Sequence, residues 1–405
     1  MAKYRVAIII PVYNQWDLTR QCLQSLQEHT DANDVQVIVV DNGSTDETRE
    51  ACPSLGHNLF GPRFDFIRLE TNIHFGPGCN LGADRADAQF LFFLNNDTLL
   101  TPGWLSPLLQ AFALRPNLGA VGPLLLYPET NRVQHLGVIF TPTRQVNHLY
   151  HYFPHDHPVV SKYRELQAIT GAALLIPAQL FQQVGGFWPE YRNGCEDLDL
   201  CAQVRRQGKT LICEPSSQIY HLTSQTQGRF DHGPHNFALL HQRCAQDFSP
   251  DKHIWAAKDG YTLRLTYDLV ADIVLERPEQ KTADLGLKEL WAEVLAEPLW
   301  EQGYTLLTNE LIQAKIWDEA VEIVTLQMQF FSSEESLWNL AKIATKTQNK
   351  ELMAQCQAMR TALDQAYAQH DIYRKFQSMR HWATTAQDAI LHAACQKWEK
   401  KYIKG

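Results

Sequence analysis

No stretch of the 405 residues approaches the roughly 18 consecutive apolar positions that a membrane-spanning helix needs. The opening, MAKYRVAIIIPVYN, holds too short an apolar run for a signal peptide and passes at once into patterned sequence. A basic surplus is also missing: Lys and Arg number 36 against 45 Asp and Glu, and the resulting net charge of -9 argues against a nucleic-acid surface as the main business of the chain. The 9 cysteines are scattered, odd in number and form no C-x-x-C pair, which argues against a disulfide frame and for free thiols in a reducing cytosol. These absences lead us to expect a cytoplasmic protein whose contact with a membrane is at most peripheral, at the inner face.

What is present is the composition of a globular protein, 45% apolar and 20% charged, long enough for two or three cores. Five apolar runs, VAIII near Val6, VQVIVV from Val35, FDFIRL from Phe64, FLFFL from Phe90 and AVGPLLLY from Ala120, lack alternation and suit parallel strands covered on both faces. Helical patterns lie between them. Leu18, Cys22 and Leu26 share one face of the first, and Ser44-Thr45-Asp46-Glu47 has the spacing of a capping box for the second. The fold class is therefore α/β, a doubly wound sheet whose ligands bind beyond the carboxyl ends of the strands. From Pro142 to Pro158 the pattern dissolves into a loop with four histidines, expected to be mobile and solvated rather than a metal cluster. We expect one domain over residues 1–250, a linker with connecting helices over 251–284, and an α-helical domain over 285–405. In the last, Ile316–Ala320 and Asn349–Met353 open helices of similar pattern, each after a helix marked by Trp300 or Trp338, in the manner of degenerate tetratricopeptide units.

The segment FFLNNDT places Asn95, Asn96 and Asp97 at the end of a buried strand. It is one of seven ordered motifs: VAIIIPVYNQWDLTRQCLQSL, VIVVDNGSTDET, NIHFGPGCNLG, FFLNNDT, TGAALLIPAQLFQQVGGF, GCEDLDLCAQVRRQG and YHLTSQTQGR. Together, over roughly the first 245 residues, they resemble glycosyltransferase family 2, whose members have the GT-A nucleotide-sugar fold.

The resemblance implies inverting transfer of a sugar from a nucleoside diphosphate donor, UDP- or dTDP-linked, assisted by manganese or magnesium. Charge that builds on the leaving diphosphate is neutralised by such a cation. Asp97 is the expected metal ligand, with His221 as a second. The family's D-x-D motif is here Asn95-Asn96-Asp97, one carboxylate short. The plain alternative, that Asp97 caps a helix, is weakened because Thr101-Pro102-Gly103 offers a better cap. By resemblance to the E-D motif, Asp197 is the catalytic base and Glu196 its support, although an acidic helix N-terminus favoured by the macrodipole is the plain reading of both. On a helix, Glu196 and Asp199 share a face. Gly171, Trp188 and Asp199 are expected on the acceptor side. Donor contacts are expected from Pro11, Tyr13, Asn14, Asp41, Asn72, Gly78, Asn80, Asn95, Asn96 and Arg229, with Asp41 accepting from the base.

Three functions are weighed. The first is a metal-dependent glycosyltransferase acting on a glycan, lipid-linked or protein acceptor, with a homo-oligomer contact through the C-terminal helices. The second is a sugar nucleotidyltransferase, disfavoured because PVYNQWDL carries no glycine-rich basic loop. The third is a binding or assembly protein with a decayed transferase domain. No nucleic-acid partner is expected. The terminal Lys397, Lys400, Lys401 and Lys404 suggest a contact with an anionic bilayer or, more plainly, a solvated helix end.

Overall fold

The computed structural model describes residues 2–31, 34–222, 232–276, 285–331, 334–368 and 372–403. The chain divides into two compact units, one of residues 1–139 and 147–249, the other of residues 140–146 and 250–405.

In the first unit, β1 (Tyr4–Val12), α1 (Trp16–His29), β2 (Val35–Asp41), α2 (Thr48–Phe60), β3 (Phe64–Arg68), α3 (Phe75–Arg85) and β4 (Ala88–Leu94) follow one another. After them come β5 (Thr98–Leu100), α4 (Leu105–Leu114), β6 (Leu118–Leu126), β7 (Val133–His135), β8 (Val138–Phe140) and β9 (Val146–His148). The unit is completed by β10 (Ala173–Pro177), α5 (Ala178–Gln183), α6 (Glu196–Arg206), β11 (Thr210–His221) and α7 (Gly233–Cys244). One sheet runs β3-β2-β1-β4-β10-β6-β11-β5, with β7 on β6. All seven residues of β2 and the whole of β1 from Val6 are buried, as expected of strands covered on both faces. Val6, Ile8, Ile10, Val37, Val39, Phe92 and Trp104 belong to one core on one face.

Strands β1 to β4 are parallel to one another where they pair, but β10 enters antiparallel between β4 and β6, and β5 pairs antiparallel with β11. The sheet is therefore mixed. Apolar runs report burial, not direction; direction is set by where the long excursion after β6 re-enters the sheet.

Local details also differ from the sequence reading. The capping box at Ser44 does not form: Ser44 Oγ accepts from Asn14 N–H at 2.7 Å, and Asp46 accepts from the N–H groups of Thr48 (3.1 Å) and Trp16 (3.0 Å). Thr101 caps no helix, because its hydroxyl donates to the Gln218 carbonyl at 2.6 Å and Gly103 at φ 77° interrupts the chain before α4 begins. The histidine-rich segment is no solvated loop. Leu149, Tyr150, Phe153 and His157 are buried in it, and among the described residues no group of three His, Cys, Asp or Glu is placed to hold a metal.

The second unit contains α8 (Lys252–Lys258), β12 (Thr262–Leu265), β13 (Ala271–Val274), α9 (Leu287–Ala296), α10 (Glu301–Ala314), α11 (Trp317–Phe330) and α12 (Glu334–Thr347). It ends with α13 (Lys350–Ala368), α14 (Ile372–Thr385) and α15 (Ala389–Tyr402). The expected linker thus carries a helix and an antiparallel hairpin, β12 with β13, whose Ala271, Ile273 and Val274 are buried. From α9 to α13 each helix packs on the next, and α15 packs against α14, α8 and β12. His253 bonds Asp388 at 2.5 Å, and the Trp398 indole donates to the Thr266 carbonyl at 2.8 Å. Trp300 is fully buried whereas Trp338 is 63% exposed, so the two tryptophans have no equivalent packing role. No helix among the described residues is long and apolar enough to cross a membrane.

Two outcomes follow from this packing. A Cβ on Gly82 of α3 would lie 2.5 Å from Ile9 Cγ2, a methyl group fixed in the central strand. Gly82→Ala should destabilise the protein by about 1–3 kcal/mol, read as a lowered urea midpoint. Burial pushes the thiols of Cys22 and Cys52 up to about 12 from the ordinary 9. The folded chain holds these protons where the unfolded chain has released them, so stability is full below pH 9 and falls as pH rises from about 9 towards about 12. Denaturant titrations at pH 8 and pH 10.5 should show this loss, and Cys22→Ala with Cys52→Ala should reduce it.

Candidate active site

A cavity of about 220 Å³ opens beyond the carboxyl ends of β1, β2 and β4. Pro11, Tyr13, Asn72, Asn95, Asn96, Asp97, Gly171, Glu196 and Asp197 all line it, as do Asn42, Phe75, Thr170, Asn193 and Cys195, which the sequence reading did not single out.

Asp97 sits in the turn between β4 and β5, seven residues before the N-cap of α4, and so does not cap that helix. The turn is held by its own backbone. Asn95 N–H donates to the Ala172 carbonyl at 2.8 Å, the Thr98 hydroxyl donates to the Asn95 carbonyl at 2.7 Å, and Leu222 N–H donates to the Asp97 carbonyl at 2.8 Å. Because β11 runs antiparallel to β5, with His221 opposite Thr98, the imidazole arrives beside the carboxylate from 124 positions away. His221 Nε2 lies 3.1 Å from Asp97 Oδ1 and 3.4 Å from Asn95 Nδ2, and both His221 and Asp97 are largely buried.

Behind His221 stands Gln134 of β7, 6% exposed. Its amide nitrogen donates to the His221 carbonyl at 2.8 Å, and its Oε1 is 2.5 Å from His221 Nδ1. With Nδ1–H directed at Gln134, Nε2 meets Asp97 Oδ1 either through a proton or through a cation, since a lone pair and a carboxylate oxygen at 3.1 Å repel. A carboxylate oxygen and an imidazole nitrogen converging in a buried corner fit a divalent cation. No third His, Cys, Asp or Glu joins them among the described residues, so a cation held in this corner would have two protein ligands of these types.

The second half of the cavity is built on the N-terminus of α6. Cys195 takes the left-handed conformation at φ 69°, turning the chain so that Glu196 and Asp197 head the helix. Asp197 Oδ2 accepts from Gly171 N–H at 3.0 Å and Oδ1 from Leu198 N–H at 2.9 Å, while Glu196 Oε2 accepts from Gly194 N–H at 2.6 Å. A Cβ on Gly171 would approach Asp197 Cβ to 3.2 Å, a tight contact that would press on the Asp197 side chain. Burial, then the carboxylates of Asp197 and Glu196, push the Cys195 thiol up to about 12, so this cavity cysteine is no thiolate nucleophile at neutral pH.

Several expected contacts lie elsewhere. Asp199, 1% exposed, is taken up by Tyr191 (3.0 Å), Gln203 (3.0 Å) and Arg243, and does not line the cavity. Asp197 and Asp199 stand two positions apart on α6, about 200° around the helix, so Asp199 meets Arg243 of α7 and not the cavity. The Trp188 ring carries the Arg243 guanidinium over its face at 3.7 Å and is not a cavity wall. Asp41 is fully buried: one oxygen accepts from Ser44 N–H at 2.8 Å and the other pairs with Arg68, and it does not line the cavity. Its neighbour Asn42 lines the cavity instead, 4% exposed, and its Oδ1 has no hydrogen-bond partner among the described residues.

Asn14, Gly78 and Asn80 also stay off the cavity wall. Asn14 Oδ1 accepts from Thr45 N–H at 2.7 Å; Asn80 clamps the backbone of Phe187 with two bonds, at 2.7 and 2.9 Å; and Gly78 leaves room for Asn42, whose Nδ2 would be 3.1 Å from a Cβ there. Arg229, with Ser224 and Thr226, lies outside the described residues. No spacing in the sequence links Gln134 to His221, and nothing in it could have found that pair; Asn42 adjoins a motif residue, and the alternation of side chains beyond a strand end was the available signal.

Comparison with known proteins bears on the family. Residues 7–184 match the family model described as glycosyl transferase family 2. The O-antigen biosynthesis protein RfbC of Myxococcus xanthus is 29% identical over 230 residues, 55% of this chain and 18% of that protein, so the chain spans less than a fifth of that relative. The N-acetylglucosaminyl-diphospho-decaprenol L-rhamnosyltransferase of Mycobacterium tuberculosis is 26% identical over 288 residues, 63% of this chain and 88% of that one. Among solved structures, GalNAc-T7 with UDP, GalNAc and Mn2+ aligns with 55% of this chain and 44% of its own at 15% identity and a TM-score of 0.47, too slight a likeness to bear on mechanism. The chain carries, over residues 7–184, a glycosyl transferase family 2 domain.

Proposed function

We propose that the first unit transfers a sugar from a nucleoside diphosphate donor to an acceptor hydroxyl, with inversion at the anomeric carbon. The observation that carries this reading is that Asp97 and Asp197, from the β4–β5 turn and the head of α6, line one cavity. In the reaction the acceptor oxygen bonds to the anomeric carbon as its proton passes to Asp197, and the bond from that carbon to the diphosphate oxygen breaks with its electron pair on the diphosphate. Asp97 and His221 would hold a divalent cation, which would supply charge stabilisation for the departing diphosphate.

The remaining residues position and shield. Backbone N–H groups of Gly171 and Leu198 aim the Asp197 carboxylate, and Glu196 stiffens the turn before it through Gly194. The orphaned oxygen of Asn42 and the amides of Asn72 and Asn95 are the hydrogen-bonding groups for the donor's nucleoside and phosphates. At about 220 Å³ the cavity is below the roughly 300–1,000 Å³ of whole ligand sites, which suits it to the reacting end of the donor. The name of the mycobacterial relative supports, as acceptor, a saccharide on a lipid diphosphate.

The competing reading is a nucleotide-binding module without turnover, motivated by Asn95 where a second carboxylate would strengthen cation binding. Nucleotide-sugar turnover and calorimetric binding of nucleoside diphosphates with manganese separate the two. Asp197→Asn should lower kcat by about 10²- to 10⁴-fold with donor affinity kept, since only the base is lost; unchanged turnover would remove that role from Asp197. Asp97→Asn should weaken manganese-assisted nucleoside diphosphate binding while binding without the metal persists. Failure of the wild type to turn over any nucleotide sugar in a panel, with binding intact, would favour the non-catalytic module.

A further inference from the structure

We propose that Gln134 is a positioning residue, which fixes the His221 ring with its Nδ1 protonated and so reserves Nε2 for the corner it shares with Asp97. The inference rests on the reading of Asp97 and His221 as the two ligands of a divalent cation, and it adds a residue that no motif contains.

The argument begins with the amide itself. Oxygen and nitrogen of a glutamine amide are interchangeable until a neighbour distinguishes them. Here the neighbour is the His221 carbonyl, an acceptor with no hydrogen to give, 2.8 Å from one end of the amide. That end must be the nitrogen. The other end is then Oε1, an acceptor, and the atom 2.5 Å from it is His221 Nδ1, which must carry a hydrogen. One side chain therefore grips both the backbone and the ring of the same residue, and the two bonds together set the ring plane as well as its protonation.

Burial makes the constraint rigid. Gln134 is 6% exposed and His221 5%, so neither bond is readily exchanged for water, and a Nδ1 without hydrogen would leave two acceptors facing each other in the interior. The strand supplies the rest. Val133 pairs with Leu126 of β6, and Tyr220 of β11 pairs with the same Leu126, so β7 and β11 flank β6 on its two sides and Gln134 reaches its target across the end of the sheet. Ligand histidines in metal sites typically donate their second ring N–H to a carboxylate, carbonyl or water, and loss of that partner costs about 10- to 100-fold in metal affinity. The Gln134 amide oxygen occupies that role without adding a negative charge beside Asp97.

The experiment uses the full chain labelled with ¹⁵N-histidine, the His221 signals being assigned with a His221→Gln variant. Long-range ¹H–¹⁵N spectra of the metal-free protein report which ring nitrogen holds hydrogen, and calorimetry with manganese, in the presence of UDP, reports affinity. In the wild type Nδ1 should be protonated. Gln134→Leu, which removes both bonds at nearly constant volume, should show His221 with a population protonated on Nε2 alone and manganese affinity lowered by about 10- to 100-fold. Gln134→Glu, which keeps an acceptor for Nδ1–H but loses the donor to the His221 carbonyl, should keep Nδ1 protonated and hold manganese more tightly than Gln134→Leu. Thermal melts of each variant separate these effects from loss of fold. Unprotonated Nδ1 in the wild type, or a folded Gln134→Leu with wild-type spectra and affinity, would overturn the proposal. A wild type that binds no manganese yet keeps Nδ1 protonated upholds the positioning role and sinks the cation reading of the site.

Discussion

Both halves of the cavity hang on the backbone of two adjacent residues. The Ala172 carbonyl accepts from Asn95 N–H, which fixes the turn carrying Asp97, and the Gly171 N–H donates to Asp197, which aims the candidate base. These residues lead directly into β10, the strand wedged antiparallel between β4 and β6. An acid that would assist departure and an acid that would receive a proton are thus referred to one rigid segment, so their separation is governed by the sheet and not by the flexibility of two loops. A displacement of β10 would disturb both at once.

The electrostatic arrangement explains why the carboxylates are tolerated where they are. Asp97 is balanced by His221 and by whatever proton or cation lies between them; Asp197 and Glu196 are balanced by backbone N–H groups at the head of a helix, where the macrodipole favours negative charge. Asp41 and Asp199, which have arginine partners, are withdrawn from the cavity altogether. The plain reading of acidic residues at a helix N-terminus is therefore true of Glu196 and Asp197 and compatible with a chemical role, because the hydrogen bonds that stabilise the helix start also orient the side chains.

Much of this was legible before any coordinates. Non-alternating runs gave buried strands because a strand covered on both faces has no solvent side to mark with polar residues. Asp97, Glu196 and Asp197 were legible as well, since the motifs keep them at the end of one strand and the start of one helix. Asp199 was misplaced because helical spacing states which residues share a face but not which neighbour that face meets; α7, with Arg243, met it first. Asp41 was expected at the cavity, which Asn42 lines, for the same kind of reason. Consecutive residues beyond a strand point to opposite sides, and which side holds the cavity depends on how α3 and the end of β3, with Arg68, pack.

The sequence by itself determined the elements and their burial, because apolar periodicity and turn chemistry act over a few residues and leave a local record. It also determined which titratable groups stand at element ends. Tertiary structure alone decided the direction of β10, the pairing of Arg243 with Asp199, and the grip of Gln134 on His221. Those contacts join residues separated by tens of positions, and a hydrogen bond between distant side chains requires only that the folded backbone bring them within about 3 Å, a condition that no spacing along the chain encodes.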